Sequence, residues 1–163
     1  MKQLLLVRHA KSSWANIGQD DFDRSLNDRG LKDAPDMAER IKAKGIQIDQ
    51  FISSNALRAF TTASFFADAF EQKPSKIFQL KQLYHAPPAI YYQLIQDIDD
   101  SIKTAAIFAH NPGITDFINE MDLLYVPNMP TCGVYAINIE THHWADFNKA
   151  KKEFWFFDYL KLQ

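Results

Sequence analysis

Two histidines and two arginines stand where three apolar runs end. Leu4-Leu5-Leu6-Val7 is followed at once by Arg8 and His9, Ala105-Ala106-Ile107-Phe108-Ala109 ends in His110, and Gln50-Phe51-Ile52 leads through Ser53-Ser54-Asn55 to Arg58. These residue types suit the holding and transfer of a phosphoryl group. Arginine presents a planar fork that bonds phosphate oxygens in pairs and keeps its charge at any working pH. Two such forks neutralise a phosphate dianion in a reaction whose catalysis is mostly positioning and electrostatics. A neutral imidazole is a competent nucleophile near pH 7, and an adjacent cation favours that neutral form. The second imidazole, if protonated, donates to a phosphoryl oxygen, and N–H groups opening the helix after Asn111-Pro112-Gly113 would extend the cradle. Singly, an Arg-His pair suits a solvated strand end, His110 a structural histidine and Arg58 a surface ion pair. Jointly they follow three different strands, and the carboxyl ends of parallel strands share one edge, where ligands bind.

The elements that must place these residues are legible as alternating patterns. Residues 4 to 9 read as a central strand buried on both faces. Ala10 to Phe22 is polar and reads as an active-site loop with one aromatic anchor, Trp14. Asn27 is the expected cap of a helix carrying Leu31, Ala34, Met37, Ala38 and Ile41 inward, with Pro35 pushing its true start later or distorting its first turn. Residues 50 to 54 form a second strand. Asn55 then caps a helix with Leu57, Ala59, Phe60, Ala63, Phe66, Ala67 and Phe70 inward and Arg58 in its first turn. Ile77 to Leu80 is a third strand, and Pro87-Pro88 opens a helix through Ile98. Residues 104 to 109 make a fourth strand, a helix runs to about Met121, and residues 133 to 139 and 153 to 158 are two closing strands. The aromatic tail around Phe154-Trp155-Phe156-Phe157 is expected to be core and a covered strand edge. Strands alternating with helices imply a three-layer α/β/α sandwich with a mostly parallel central sheet, and the last two strands, lacking a long helix between them, require an antiparallel member.

Composition narrows the function. At 163 residues, about half of them apolar, the chain fits one domain spanning residues 1–163 with ample core. A net charge of −2 offers no electrostatic case for nucleic acid or an anionic membrane. No apolar run approaches the roughly 20 residues of a membrane span. The single cysteine, Cys132, fits a reducing cytoplasm and a small buried hydrophobe, and the N-terminus lacks the pattern of a signal peptide, so a cytoplasmic location is expected. Asn138 stands six residues after Cys132, where a cysteine-dependent phosphatase loop needs arginine, and no Gly-x-x-x-x-Gly-Lys loop is present. The histidine pair His142-His143, neighbours expected to face opposite ways on a strand, does not suit one metal. No metal and no cofactor are expected.

Leu6-Val7-Arg8-His9-Ala10-Lys11-Ser12-Ser13-Trp14 resembles the Arg-His signature of the histidine phosphatase (phosphoglycerate mutase-like) superfamily, and the whole chain most resembles its small SixA-like phosphohistidine phosphatases. The likeness continues through residues 21–30, Ser53-Ser54-Asn55-Ala56-Leu57-Arg58-Ala59, His110-Asn111-Pro112-Gly113, Met129-Pro130-Thr131-Cys132-Gly133 and Phe156-Phe157-Asp158-Tyr159. The resemblance implies His9 as the phosphorylated nucleophile and Arg8, Arg58 and His110 as its phosphate-binding partners. It also implies an α/β/α fold without the helical insertion that covers larger relatives' sites, no metal, and an open pocket. Three positions depart from the pattern. The segment Leu83-Tyr84-His85-Ala86 holds His85 where many SixA-like chains have glutamate, often the proton donor. Ala15 replaces an asparagine that binds phosphate in the mutases, and Ser25 stands where proline is common.

The expected function is a metal-independent phosphatase acting on phosphohistidine in a phosphorylated protein, with His85 the possible proton donor and Asp20, Asp21 and Asp23 the other carboxyl candidates. The rivals are a phosphomonoesterase for small phosphoesters and a non-catalytic phosphoprotein-binding module.

Overall fold

The computed structural model describes residues 1–161. Six strands form one sheet in the order β3-β2-β4-β1-β5-β6, built from β1 (Lys2–Arg8), β2 (Gln50–Ser54), β3 (Phe78–Leu80), β4 (Thr104–Ala109), β5 (Val134–Ile139) and β6 (Lys152–Asp158). β1 pairs parallel with β4, and β2 pairs parallel with both β4 and β3. β5 is the one reversed strand, antiparallel to β1 and to β6. The chain is thus a three-layer α/β sandwich with a mostly parallel sheet, as the alternating pattern predicts.

Side chains along the central strands alternate between two cores. Leu5 and Val7 of β1 face α1 (Asp28–Ala43) and α2 (Leu57–Ala69), meeting Met37, Ile41 and Phe66. Leu4 and Leu6 face α3 (Pro88–Gln96) and α4 (Gly113–Glu120), meeting Tyr91, Ile95 and Phe117. Burial on both faces explains why β1 and β4 read as unbroken apolar runs. The tail contributes to both cores: Trp155 and Phe156 pack on the α1 side and Phe157 on the other. β6 is nevertheless the outermost strand, and Phe154 stays 39% exposed.

Several local readings need correction. Asn27 does cap α1, accepting the Gly30 N–H at 2.9 Å, and the helix starts at Asp28 with Pro35 held inside it. Leu31 points outward, and Gly30 takes the inward place because a Cβ there would lie 2.2 Å from the Lys11 carbonyl oxygen. α1 therefore presses directly on the loop that follows β1. α2 is capped at Ala56 without a side-chain bond, so Asn55 does not cap it. His142 and His143 lie beyond β5, and His143 pairs with Asp100. Among the described residues no helix is long and apolar enough to cross a membrane.

Candidate active site

Parallel pairing carries the strand-end residues to one place. β1 ends at Arg8, and the chain beyond it is held on both sides: the His9 N–H donates to the Ala109 carbonyl at 3.1 Å, and the Cys132 N–H reaches the carbonyls of Arg8 and His9 at 3.0 and 3.1 Å. β4 delivers His110 beside them. β2 passes through Ser54 into α2, whose first turn holds Arg58, 4% exposed. Arg8, His9, Arg58 and His110 thus line one cleft of about 340 Å³. His85 lines it too, as does Asp21, whereas Asp20 and Asp23 are exposed and lie off it. A larger cleft, about 660 Å³, separates α1 from Tyr159–Lys161, but it collects charges of both signs and none of the strand-end residues. Convergent chemistry favours the smaller cleft.

Hydrogen bonds decide what each ring offers. His9 Nδ1 lies 2.7 Å from the Ala10 carbonyl, which only accepts, so Nδ1 carries the proton and Nε2 the lone pair. Arg58 Nε donates toward that lone pair at 3.4 Å. Burial, reinforced by the charges of Arg58, Arg8 and Arg24 and opposed by the Ala10 bond, pushes the His9 pKa down to about 3. The Ala10 N–H is itself held by Thr62 Oγ1 at 3.0 Å, and Thr62 Oγ1–H donates to the Arg58 carbonyl, so one hydroxyl ties His9 to Arg58. The second ring centroid lies 5.2 Å from the first. Burial and then the neighbouring His9 and Arg58 push His110 down to about 2. His110 is accordingly neutral near pH 7, so the condition under which it would donate as an imidazolium is not met. Arg8 Nη1 donates to the Met129 carbonyl at 2.8 Å. Two buried atoms of cleft residues, Arg8 Nε and His110 Nδ1, have no hydrogen-bond partner among the described residues. Buried polar atoms are normally paired, so each of these leaves a hydrogen bond unmet in a residue that lines the cleft.

Asp21 occupies the mouth. Its carboxylate accepts from Arg58 Nη2 at 2.9 Å, Arg24 Nε at 3.0 Å and the Tyr84 hydroxyl, while its carbonyl accepts from Arg58 Nη1 at 2.6 Å. Partial burial alone would raise its pKa, but the bonds from Tyr84, Arg58 and Arg24 win and hold it well below the usual carboxylate range. Asp21 is therefore an ionised acceptor near pH 7, not a carboxylic acid with a proton to give. His85 sits at the rim with its side chain 65% exposed, Nε2 4.0 Å from Asp21 Oδ2 and its ring 3.9 Å from that of Tyr84. Its φ of +57° is a left-handed conformation that histidine tolerates better than most residues.

Sequence reasoning missed Arg24, Ser54, Thr62 and Tyr84. Arg24 is 8% exposed, donates to Ser12 Oγ at 2.6 Å, and its guanidinium lies 3.6 Å over the Trp14 ring. Trp14 is 77% exposed, so it is a cleft wall laid on Arg24 and not a core anchor. Ser54 ends its strand as Arg8 ends β1, and that signal was available. The opening of α4 does not line the cleft. Gly113 is pressed against the Ala86 carbonyl, and Asn111 supplies the wall. Among the described residues no three His, Cys, Asp or Glu side chains are grouped to hold a metal ion.

A mostly parallel sheet between two helix layers, with two arginines and two buried neutral histidines at the carboxyl ends of its parallel strands or just beyond them, is an arrangement suited to handling a phosphoryl group. The family model of the histidine phosphatase superfamily (branch 1) matches residues 4–83, which hold Arg8, His9 and Arg58. The 2,3-bisphosphoglycerate-dependent phosphoglycerate mutase of Pelagibacter ubique is 38% identical over 92 residues, 52% of this chain and 37% of the mutase. An uncharacterized Mycobacterium tuberculosis protein is 27% identical over 150 residues, 86% of this chain and 90% of that one. Among solved structures, the Agrobacterium tumefaciens protein assigned as phosphohistidine phosphatase SixA superposes with a TM-score of 0.81 at 23% identity, covering 98% of this chain and 99% of that one. At that identity the likeness establishes the fold.

Proposed function

We propose that the protein is a phosphatase that works through a covalent phosphohistidine on His9, needs no metal, and takes its phosphate from phosphohistidine on a protein. The observation that carries this reading is the buried Nε2 lone pair of His9, faced by Arg58 Nε at 3.4 Å in a cleft whose lining residues Arg8 and His110 each hold an unpaired buried nitrogen. In the first step the Nε2 lone pair attacks phosphorus, the substrate's P–N bond breaks, and its electron pair leaves with the substrate imidazole. Arg8, Arg58 and His110 hold the three phosphoryl oxygens as charge spreads over them. In the second step water attacks phosphorus, the bond to Nε2 breaks, and inorganic phosphate leaves a neutral His9. Because His9 resists protonation down to about pH 3, the nucleophile is ready at any physiological pH.

The choice of phosphohistidine rests on the leaving group. An alkoxide is a strong base and needs a proton as its bond breaks, whereas an imidazole is far less basic and can leave already protonated. Asp21 is ionised and held by three donors, so the mouth of the cleft offers no carboxylic acid. One observation favours the second reading, a phosphomonoesterase for small esters: His85 lines the cleft and can hand a proton to an alkoxide. The deciding experiment is turnover of a phosphohistidine protein beside an alkyl phosphate, with EDTA present, and ³²P labelling during turnover. Acid-labile label on His9 in wild type, none in His9→Ala, and a large preference for phosphohistidine are expected. Label on Cys132 or a serine refutes the mechanism, loss of turnover in EDTA refutes metal independence, and equal rates on both substrates refute the leaving-group reasoning.

A further inference from the structure

We propose that Ser54 is a positioning residue that sets the tautomer of His110, its hydroxyl donating to Nε2 so that the ring proton sits on Nδ1 and faces the ligand. The role of that proton, donation to a phosphoryl oxygen, rests on the function proposed above. Ser54 is fully buried at the end of β2, its Oγ 2.8 Å from His110 Nε2 and 3.2 Å from the Ala56 N–H. A backbone N–H only donates, so it takes one lone pair of Oγ and leaves the hydroxyl proton to be placed elsewhere. Among the described residues, Nε2 is the one other group within hydrogen-bond distance of Oγ. Nε2 must then accept, and a neutral ring that accepts at Nε2 carries its proton on Nδ1.

The opposite tautomer fails on two counts. With Nε2 protonated, the buried Ser54 hydroxyl proton has no acceptor, and Nδ1 offers a lone pair to a ligand whose oxygens are themselves acceptors. In the assigned tautomer the buried and unpaired Nδ1 becomes a donor awaiting an oxygen. Burial and then the neighbouring His9 and Arg58 hold His110 neutral, so the ring carries one proton and the Ser54 bond decides which nitrogen has it. The two rings, 5.2 Å apart, thereby offer opposite faces: the Ala10 carbonyl leaves His9 with a lone pair for phosphorus, and the Ser54 hydroxyl leaves His110 with a proton for oxygen.

Long-range ¹H–¹⁵N correlation spectra of ¹⁵N-histidine-labelled protein test this without any substrate, with His110→Gln identifying the signals of residue 110. In wild type, Nδ1 of His110 should show the shift of a protonated nitrogen and Nε2 that of a bare one. Ser54→Ala should mix the two forms and lower kcat about ten- to a hundredfold with KM little changed, and Ser54→Thr, which keeps the hydroxyl, should restore both. A merely structural serine would change neither the tautomer of the folded protein nor kcat. A protonated Nε2 in wild type, or a Ser54→Ala protein with the wild-type tautomer and kcat, overturns the assignment. If the tautomer is as stated but no phosphate compound is turned over, the proposed function falls and the assignment stands.

Discussion

The two buried histidines should make the fold acid-sensitive well above the range where carboxylates titrate. His9 is held down to about 3 and His110 to about 2, against about 6.5 for an unburied imidazole. Between those values the unfolded chain binds protons that the folded chain refuses. Stability therefore rises with pH and is lost as pH falls below 6.5. Well below 6.5 each pH unit costs about 1.4 kcal/mol per ring, so acidification from 7.5 to 5 removes about 2 kcal/mol for each and about 4 kcal/mol for the pair. Against a total stability of about 5–15 kcal/mol, that is a large share. The depressed Asp21 carboxyl acts in the same direction but only as pH falls through the ordinary aspartate value of 3.8, so the window from 4.5 to 6.5 belongs to the rings. Urea unfolding across pH 7.5 to 5 in phosphate-free buffer, on wild type, His9→Gln, His110→Gln and the double variant, measures the effect. Each single variant should lose about half of the wild-type pH dependence in that window, and the double variant nearly all of what these rings contribute. A double variant with the wild-type slope would refute the burial and charge account of both rings.

Arg58→Ala should lower kcat by two to three decades, the cost of about 3–4 kcal/mol for one charge-assisted contact made in the transition state, and Arg58→Lys should recover only part of it because a point charge cannot replace the fork. Near-full activity in Arg58→Ala would remove Arg58 from the site. Asp21→Asn deletes a negative charge 2.9 Å from Arg58 and leaves one accepting oxygen where two now serve Arg24, Arg58 and Tyr84, so inorganic phosphate should inhibit about tenfold more tightly, roughly 1.4 kcal/mol. Unchanged inhibition would mean that the ligand does not meet Arg58. Gly113→Ala would place a Cβ 1.9 Å from the Ala86 carbonyl oxygen, backbone against backbone, and should cost about 3 kcal/mol in urea unfolding with a loss of activity, since His110 and His85 flank that contact. A variant of wild-type stability would show that α4 and the Ala86 segment are not so closely packed.

What the amino-acid order determined by itself is whatever repeats along the chain. Unbroken apolar runs marked β1 and β4 because both faces of those strands are covered, and the abrupt polar ends of the runs picked out Arg8, His9 and His110. Helical spacing placed Arg58 in the first turn of α2, and the missing helix between β5 and β6 announced the reversed strand. The tertiary structure alone decided everything that depends on a partner across space. Pro35 stays inside α1, where spacing suggested a later start or a distorted turn. The lone pair of His9 is set by the carbonyl of Ala10, a residue whose N–H is held by Thr62 on a helix some fifty residues away. Asp21, one of three equivalent-looking aspartates, is the one that meets Arg58, Arg24 and Tyr84, and those contacts turn it from a candidate acid into an ionised acceptor. Ser54 meets His110 because β2 and β4 are neighbours in the sheet although the two residues lie 56 positions apart in the chain. Periodicity encodes which face a residue takes, since it depends on local geometry, but protonation and pairing depend on burial and on charges that strand order brings together.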